Sequence, residues 1–108
     1  MRIAPLREIC QARSGDKGNI ANIGLIVYDK RHYEHVKRIV TSERVKEFFG
    51  DAVKGRVERY ELPRLGALNF VLHEALDGGA TRSLTLDPFG KVVSSILLAM
   101  EIEMPAGD

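Results

Sequence analysis

Ile20-Ala21-Asn22-Ile23-Gly24-Leu25-Ile26-Val27-Tyr28 is a nearly continuous apolar run rich in β-branched residues. That composition predicts a strand covered on both faces and central in its sheet. Just ahead of it, Ser14-Gly15-Asp16-Lys17-Gly18-Asn19 is polar and carries two glycines that can supply positive φ, so residues 14–19 are expected to turn the chain. The mixed stretch 6–13 then forms the preceding strand.

Downstream, Tyr33, Val36 and Val40 recur at i, i+3 and i+7 while Lys30, Arg31, Lys37 and Arg38 lie elsewhere, which predicts an amphipathic helix over 30–40. Thr41 is placed to break that helix and cap a second one, with Glu43 in its first turn, an apolar stripe of Val45, Phe48 and Phe49, and Gly50 as its stop. Residues 57–62 read as a strand with Tyr60 and Leu62 on one face, ended by Pro63. Leu65, Leu68, Leu72 and Leu76 then fall at helical spacing before Gly78-Gly79, predicting a third helix. Beyond it, Arg82, Leu84 and Leu86 alternate with Thr81, Ser83 and Thr85. Asp87-Pro88-Phe89-Gly90 supplies a turn, and Ile96, Leu98, Met100, Ile102 and Met104 alternate again, predicting two closing antiparallel strands. The order suits an α+β two-layer sandwich, with helices on one face of a mostly antiparallel sheet. It is expected as a single domain over 1–104 followed by a flexible tail at 105–108.

The chain's 108 residues leave no room for a second domain, and its 44% hydrophobic and 29% charged content is that of a folded protein. Sixteen basic and 15 acidic side chains give a formal charge of +1, too balanced to draw nucleic acid or an anionic membrane by charge alone. Cys10 is the single cysteine, so no internal disulfide is expected. The opening residues lack the apolar core of a signal peptide, and no run approaches the roughly 18 apolar residues of a membrane span. A cytoplasmic protein without nucleic-acid or membrane partners is the expectation.

Three stretches carry a resemblance: Ala12-Arg13-Ser14-Gly15-Asp16-Lys17-Gly18-Asn19-Ile20-Ala21-Asn22-Ile23-Gly24, Val57-Glu58-Arg59-Tyr60-Glu61-Leu62-Pro63, and Leu65-Gly66-Ala67-Leu68-Asn69-Phe70-Val71-Leu72. Together with Gly78-Gly79-Ala80-Thr81-Arg82-Ser83-Leu84, this string is similar to the ferredoxin-fold domain of AtuA-like proteins, named for acyclic terpene utilisation. The resemblance implies a ferredoxin-like fold and a place in bacterial breakdown of acyclic terpenes or acyl compounds. It also implies a larger AtuA-like subunit as partner, expected here on a separate polypeptide. It implies no particular reaction. Two other readings are an autonomous enzyme or binding protein that captures an anionic ligand, such as an acyl-thioester nucleotide or a carboxylate, and a homo-oligomer formed through an exposed sheet face or edge.

The residues that could hold an anion are Arg13, Ser14, Asp16, Lys17, Asn19, Asn22, Asn69 and Arg82. Arg13 and Lys17 supply charge, and Gly15 and Gly18 let backbone N–H groups converge. The competing reading of 13–19 is a hairpin in which Asp16 and Asn19 bond their own backbone. Asn22 and Asn69 are expected partly buried, tying the turn to the third helix or touching a ligand. Arg82 shares a face with Leu84 and Leu86, which calls for a salt bridge to Asp16 or Glu61, or for an anion clamp with Arg13. His32 and His35 lack the further ligands of a zinc set and read as surface histidines; His73 reads as structural or as a general base. The 30–38 cations read as a solvated helix face. Neither G-x-x-x-x-G-K-[ST] nor G-x-G-x-x-G occurs, so no cofactor is expected.

Overall fold

In the computed structural model, residues 2–75 and 89–105 are described, with the side chains of Asp16 and of residues 89–92 left aside. The chain begins with a short strand β1 (Ile3–Pro5), followed by β2 (Cys10–Lys17) and β3 (Ile20–Val27). Two helices come next, α1 (Tyr33–Ile39) and α2 (Ser42–Phe49), and then β4 (Val57–Leu62) and β5 (Ala67–Leu72). The last elements are α3 (Phe89–Leu98) and β6 (Glu101–Glu103). Strands β2-β3-β5-β4 form one antiparallel sheet in that order, and β1 pairs with β6 in a separate antiparallel ribbon. Because β5 runs antiparallel to both neighbours, β3 and β4 are parallel to each other, joined through α1 and α2 with β5 inserted between them. This is the split βαβ unit of a ferredoxin-like α+β sandwich.

β3 is central, as its composition predicts, but it is covered on one face only. Ala21, Ile23, Leu25 and Val27 are buried, whereas Ile20 and Asn22 are exposed and Gly24 and Ile26 half-buried. The buried face continues across the register into Leu68, Phe70 and Leu72 of β5. Against it pack Tyr33, Val36 and Val40 from the first helical segment, Val45 and Phe49 from α2, and Val93 and Leu97 from α3. The ribbon closes one end of this core with Ala4, Ile102 and Met104. Thr41 caps α2, its hydroxyl accepting from the Arg44 N–H at 3.1 Å. Gly50 ends α2 at φ 57°. Arg59, on the helix side of β4, donates to the carbonyls of Lys37 and Val40 and so ties the α1 C-terminus to the sheet.

Several expectations are corrected. The leucine spacing from 65 to 72 does not make a helix: Pro63 and Gly66, at φ 61°, bound a turn, Ala67–Leu72 is a strand hydrogen-bonded on both sides, and Leu76 lies outside the described residues. Four residues are two periods of a strand as well as about one helical turn, so the Leu68–Leu72 pair fits both. Phe70, fully buried between them, decides for the strand, while Leu65 is 64% exposed. The closing alternation is likewise shorter than expected. Val93 and Leu97 lie one turn apart on the buried face of α3, and only Glu101–Glu103 is strand, with Ile102 buried between exposed glutamates. The turn at 14–19 contracts to Gly18 and Asn19, because Ser14 to Lys17 pair in register with Ile23 to Ile20. The stop at Gly78-Gly79, the strand around Arg82, the turn residues Asp87 and Pro88, and the tail from 106 onward lie outside the described residues.

Candidate functional site

No described helix covers the other face of the sheet, and register dictates what that face displays. Side chains alternate along each strand, so two neighbouring cross-strand rows form its centre: Arg13–Gly24–Asn69–Tyr60 and Gly15–Asn22–Val71–Glu58. Lys17 and Ile20 pair beyond the second row, and Ile26, Ala67 and Leu62 line the first row's other side. Four of the expected anion-site residues, Arg13, Lys17, Asn22 and Asn69, thus share this face. Arg13, Lys17 and Asn22 are exposed and Asn69 half-buried.

The other four expected residues do not join them as a pocket. Ser14 is paired with Ile23 and half-buried on the helix side. Asn19 lies in the hairpin turn, where its carbonyl accepts from the Ala75 N–H at 3.1 Å. Asp16 holds the ladder position opposite Ala21, and Arg82 lies outside the described residues. Glu61, one of the partners considered for Arg82, pairs with Arg59 at 3.3 Å. The amides of Asn22 and Asn69 do not tie a turn to a helix, because both stand on strands.

Sequence reading missed the densest polar cluster on this face, centred on Glu58. Its Oε1 accepts from Tyr60 Oη at 3.1 Å and lies 3.2 Å from His73 Nε2, while Oε2 accepts from Arg56 Nε at 3.1 Å. The hydrogen bond from His73 and the two bonds from Arg56 and Tyr60 hold the carboxyl below the usual carboxylate range. The same negative charge raises the Tyr60 phenol, chiefly through their hydrogen bond. A carboxylate can only accept, so the contact places a proton on His73 Nε2.

A β-bulge sets this cluster. Gly55 donates its N–H to the His73 carbonyl and the His73 N–H donates to the Arg56 carbonyl, both at 2.9 Å, so two residues of one strand oppose one of the other. Gly55 is required there: a Cβ would lie 2.7 Å from the His73 oxygen. The spacing of Glu58 and Tyr60 at i, i+2 on a strand was the available signal, but His73 joins them only once 67–72 is read as a strand.

Elsewhere, His35 is structural. His35 Nε2 lies 2.6 Å from the Glu103 carbonyl and joins α1 to β6, and so is more than a surface residue. Among the described residues, no group of three or more His, Cys, Asp or Glu side chains is arranged to hold a metal ion. The cations at 30–38 are partly engaged: Lys30 reaches the Arg64 carbonyl at 2.8 Å, and Arg31 and Lys37 pair with Asp29 and Glu34 at 2.7 and 3.1 Å. No helix of the described residues is long and apolar enough to cross a membrane.

The family model described as the AtuA ferredoxin-like domain matches residues 4–103. This chain belongs to the AtuA ferredoxin-like domain family. No curated protein and no solved structure matches it. The AtuA ferredoxin-like match reaches from β1 to β6, so it takes in the terminal ribbon as well as the four-stranded sheet. In this AtuA ferredoxin-like domain both the uncommitted polar groups and the Glu58 cluster stand on the sheet face that no described helix covers.

Proposed function

We propose that this domain is an accessory or assembly module of an AtuA-type system, working with a larger AtuA-like subunit in bacterial catabolism of acyclic terpenes or acyl compounds. Family membership supports the system. The open sheet face supports docking. Tyr60 is 51% exposed and Leu62 40% exposed on the β4 side of that face, with Leu65 exposed in the turn that follows. A sheet that buries one face and leaves apolar side chains on the other offers a surface suited to a partner. Enzymatic groups in that partner would supply the chemistry, and the module would complete or shape its site.

The test is co-expression with the larger AtuA-type subunit encoded in the same genome, followed by native mass spectrometry and gel filtration. A stoichiometric complex is expected, and Leu62→Arg, which places a charge on the proposed contact without touching the core, should weaken it at least about tenfold. Separate elution of the two wild-type chains at about micromolar concentration, the range of a specific but reversible complex, would refute the reading.

A further inference from the structure

The two halves of the open sheet face differ in how their polar groups are used. On the β4 side, Arg56, Glu58, Tyr60 and His73 satisfy one another. Across β2, β3 and β5, Arg13, Asn22 and Asn69 make no side-chain hydrogen bond to any described residue. These three surround Gly24. Arg13 and Asn69 flank it on the neighbouring strands, their Cα atoms about 10 Å apart by strand spacing, and Asn22 lies two residues along β3.

Gly24 has no conformational or packing reason to be glycine. Its φ is not positive, and the nearest atom to a Cβ built there is the Arg13 carbonyl oxygen at 4.0 Å. Gly15, beside Asn22 on β2, is similar: its φ is not positive, and the closest atom to an added Cβ is Asn22 Oδ1 at 3.7 Å. Glycine inside a strand forfeits packing and backbone order, and where neither turn nor crowding demands it, close approach of another group is a remaining physical reason. The open floor therefore coincides with the uncommitted donors.

The geometry points to a binding site for a small aliphatic carboxylate, its head lying over Gly24 and Gly15. Arg13 grips the two oxygens through its guanidinium fork, and the amides of Asn22 and Asn69 donate from either side. Charge favours this occupant. Arg13 and Lys17 are the exposed cations on this half, and Glu58 is separated from Asn22 by Val71, paired with Arg56 and hydrogen-bonded by His73. Shape favours it as well: with no Cβ at Gly15 or Gly24, the sheet surface lets a planar trigonal head approach the backbone. An apolar tail would run from Gly24 along β3 onto Ile26, half-buried on the same face. The site is complete within this chain, so it goes beyond the docking role and stands whether or not a larger subunit binds.

The experiment is titration of the intact chain with hexanoate, followed by amide shifts in ¹H–¹⁵N spectra. Hexanamide serves as the uncharged probe and inorganic phosphate as the alternative anion. Saturable shifts centred on Gly15 and Gly24 are expected with hexanoate and not with the other two. Arg13→Ala should weaken binding about tenfold or more, as expected for a lost charged hydrogen bond. Gly24→Val should abolish it while leaving the fold's dispersion and melting temperature intact, since its Cβ enters open space; if Val perturbs the fold, Gly24→Ala gives the same comparison. No floor shifts with hexanoate, an equal response to hexanamide or phosphate, or unaltered binding in a folded Gly24 variant would overturn the assignment.

Discussion

At Cys10 the side chain is fully buried beside Val27, and removal from water pushes its thiol up to about 12. The native protein should therefore resist thiol reagents at about pH 8, where an ordinary thiol is substantially ionised. Labelling should track unfolding in denaturant, and rapid modification of the folded chain would contradict that burial. Glu58 makes the opposite case, an ionised carboxylate stabilised by its neighbours. Because its folded pKa lies below its unfolded one, its contribution is full above the ordinary carboxylate range and is lost as pH falls through the depressed value. Wild type should melt above Glu58→Gln at about pH 7, and the gap should narrow as pH falls below the ordinary carboxylate range. The same variant should lower the Tyr60 phenol pKa, read by ultraviolet titration, since Glu58 is the first cause of its rise. The sequence disclosed Arg13, Lys17, Asn22 and Asn69 as polar residues in unusual surroundings. It concealed that Ser14 turns inward, because a glycine-rich polar string reads as a turn even where its backbone is extended.

At the level of elements, Phe70→Ala should destabilise the fold by about 3–5 kcal/mol, as for a large side chain removed from a packed core. Leu65→Ala should lie within about 0.5 kcal/mol of wild type, because Leu65 is largely exposed. A helix through 65–76 would have made Leu65 a member of the buried stripe, so chemical denaturation of the two variants separates the geometries. Arg59→Met keeps much of the apolar stem and removes the donors that reach the carbonyls of Lys37 and Val40. It should cost about 1.5–3 kcal/mol, the range for charged hydrogen bonds, with loss centred on α1 amides in hydrogen exchange. The elements legible in the sequence were those with only one reading. Thr41 and Gly50 bracket α2 by cap chemistry, and β-branched residues crowd β3. The elements misread were those whose apolar spacing satisfies two periods at once: Leu68 and Leu72 in β5, and the run from Ile96 to Met104. There the deciding facts are long-range, the pairing of β5 with two strands and the packing of α3 over β2 and β3.

For the molecule as a whole, the described helices lie on one side of the sheet and its exposed face on the other, so stability is vested in one face and the proposed recognition in the other. Substitutions across Arg13, Asn22, Asn69 and Tyr60 should therefore shift melting far less than changes at Ile23, Leu25 or Phe70, although Asn22 is next to Ile23 on β3 and Asn69 next to Phe70 on β5. The β1–β6 ribbon adds a different property. Ile3 pairs with Glu103, and the Met104 N–H donates to the Arg2 carbonyl at 2.8 Å, so the first and last strands are fastened side by side. A chain fastened in this way is topologically close to a ring. Joining its two ends by a few residues and reopening it between Gly18 and Asn19, at the tip of the exposed β2–β3 hairpin, should give a circular permutant with the same sheet, because the connection spans a gap already bridged by hydrogen bonds.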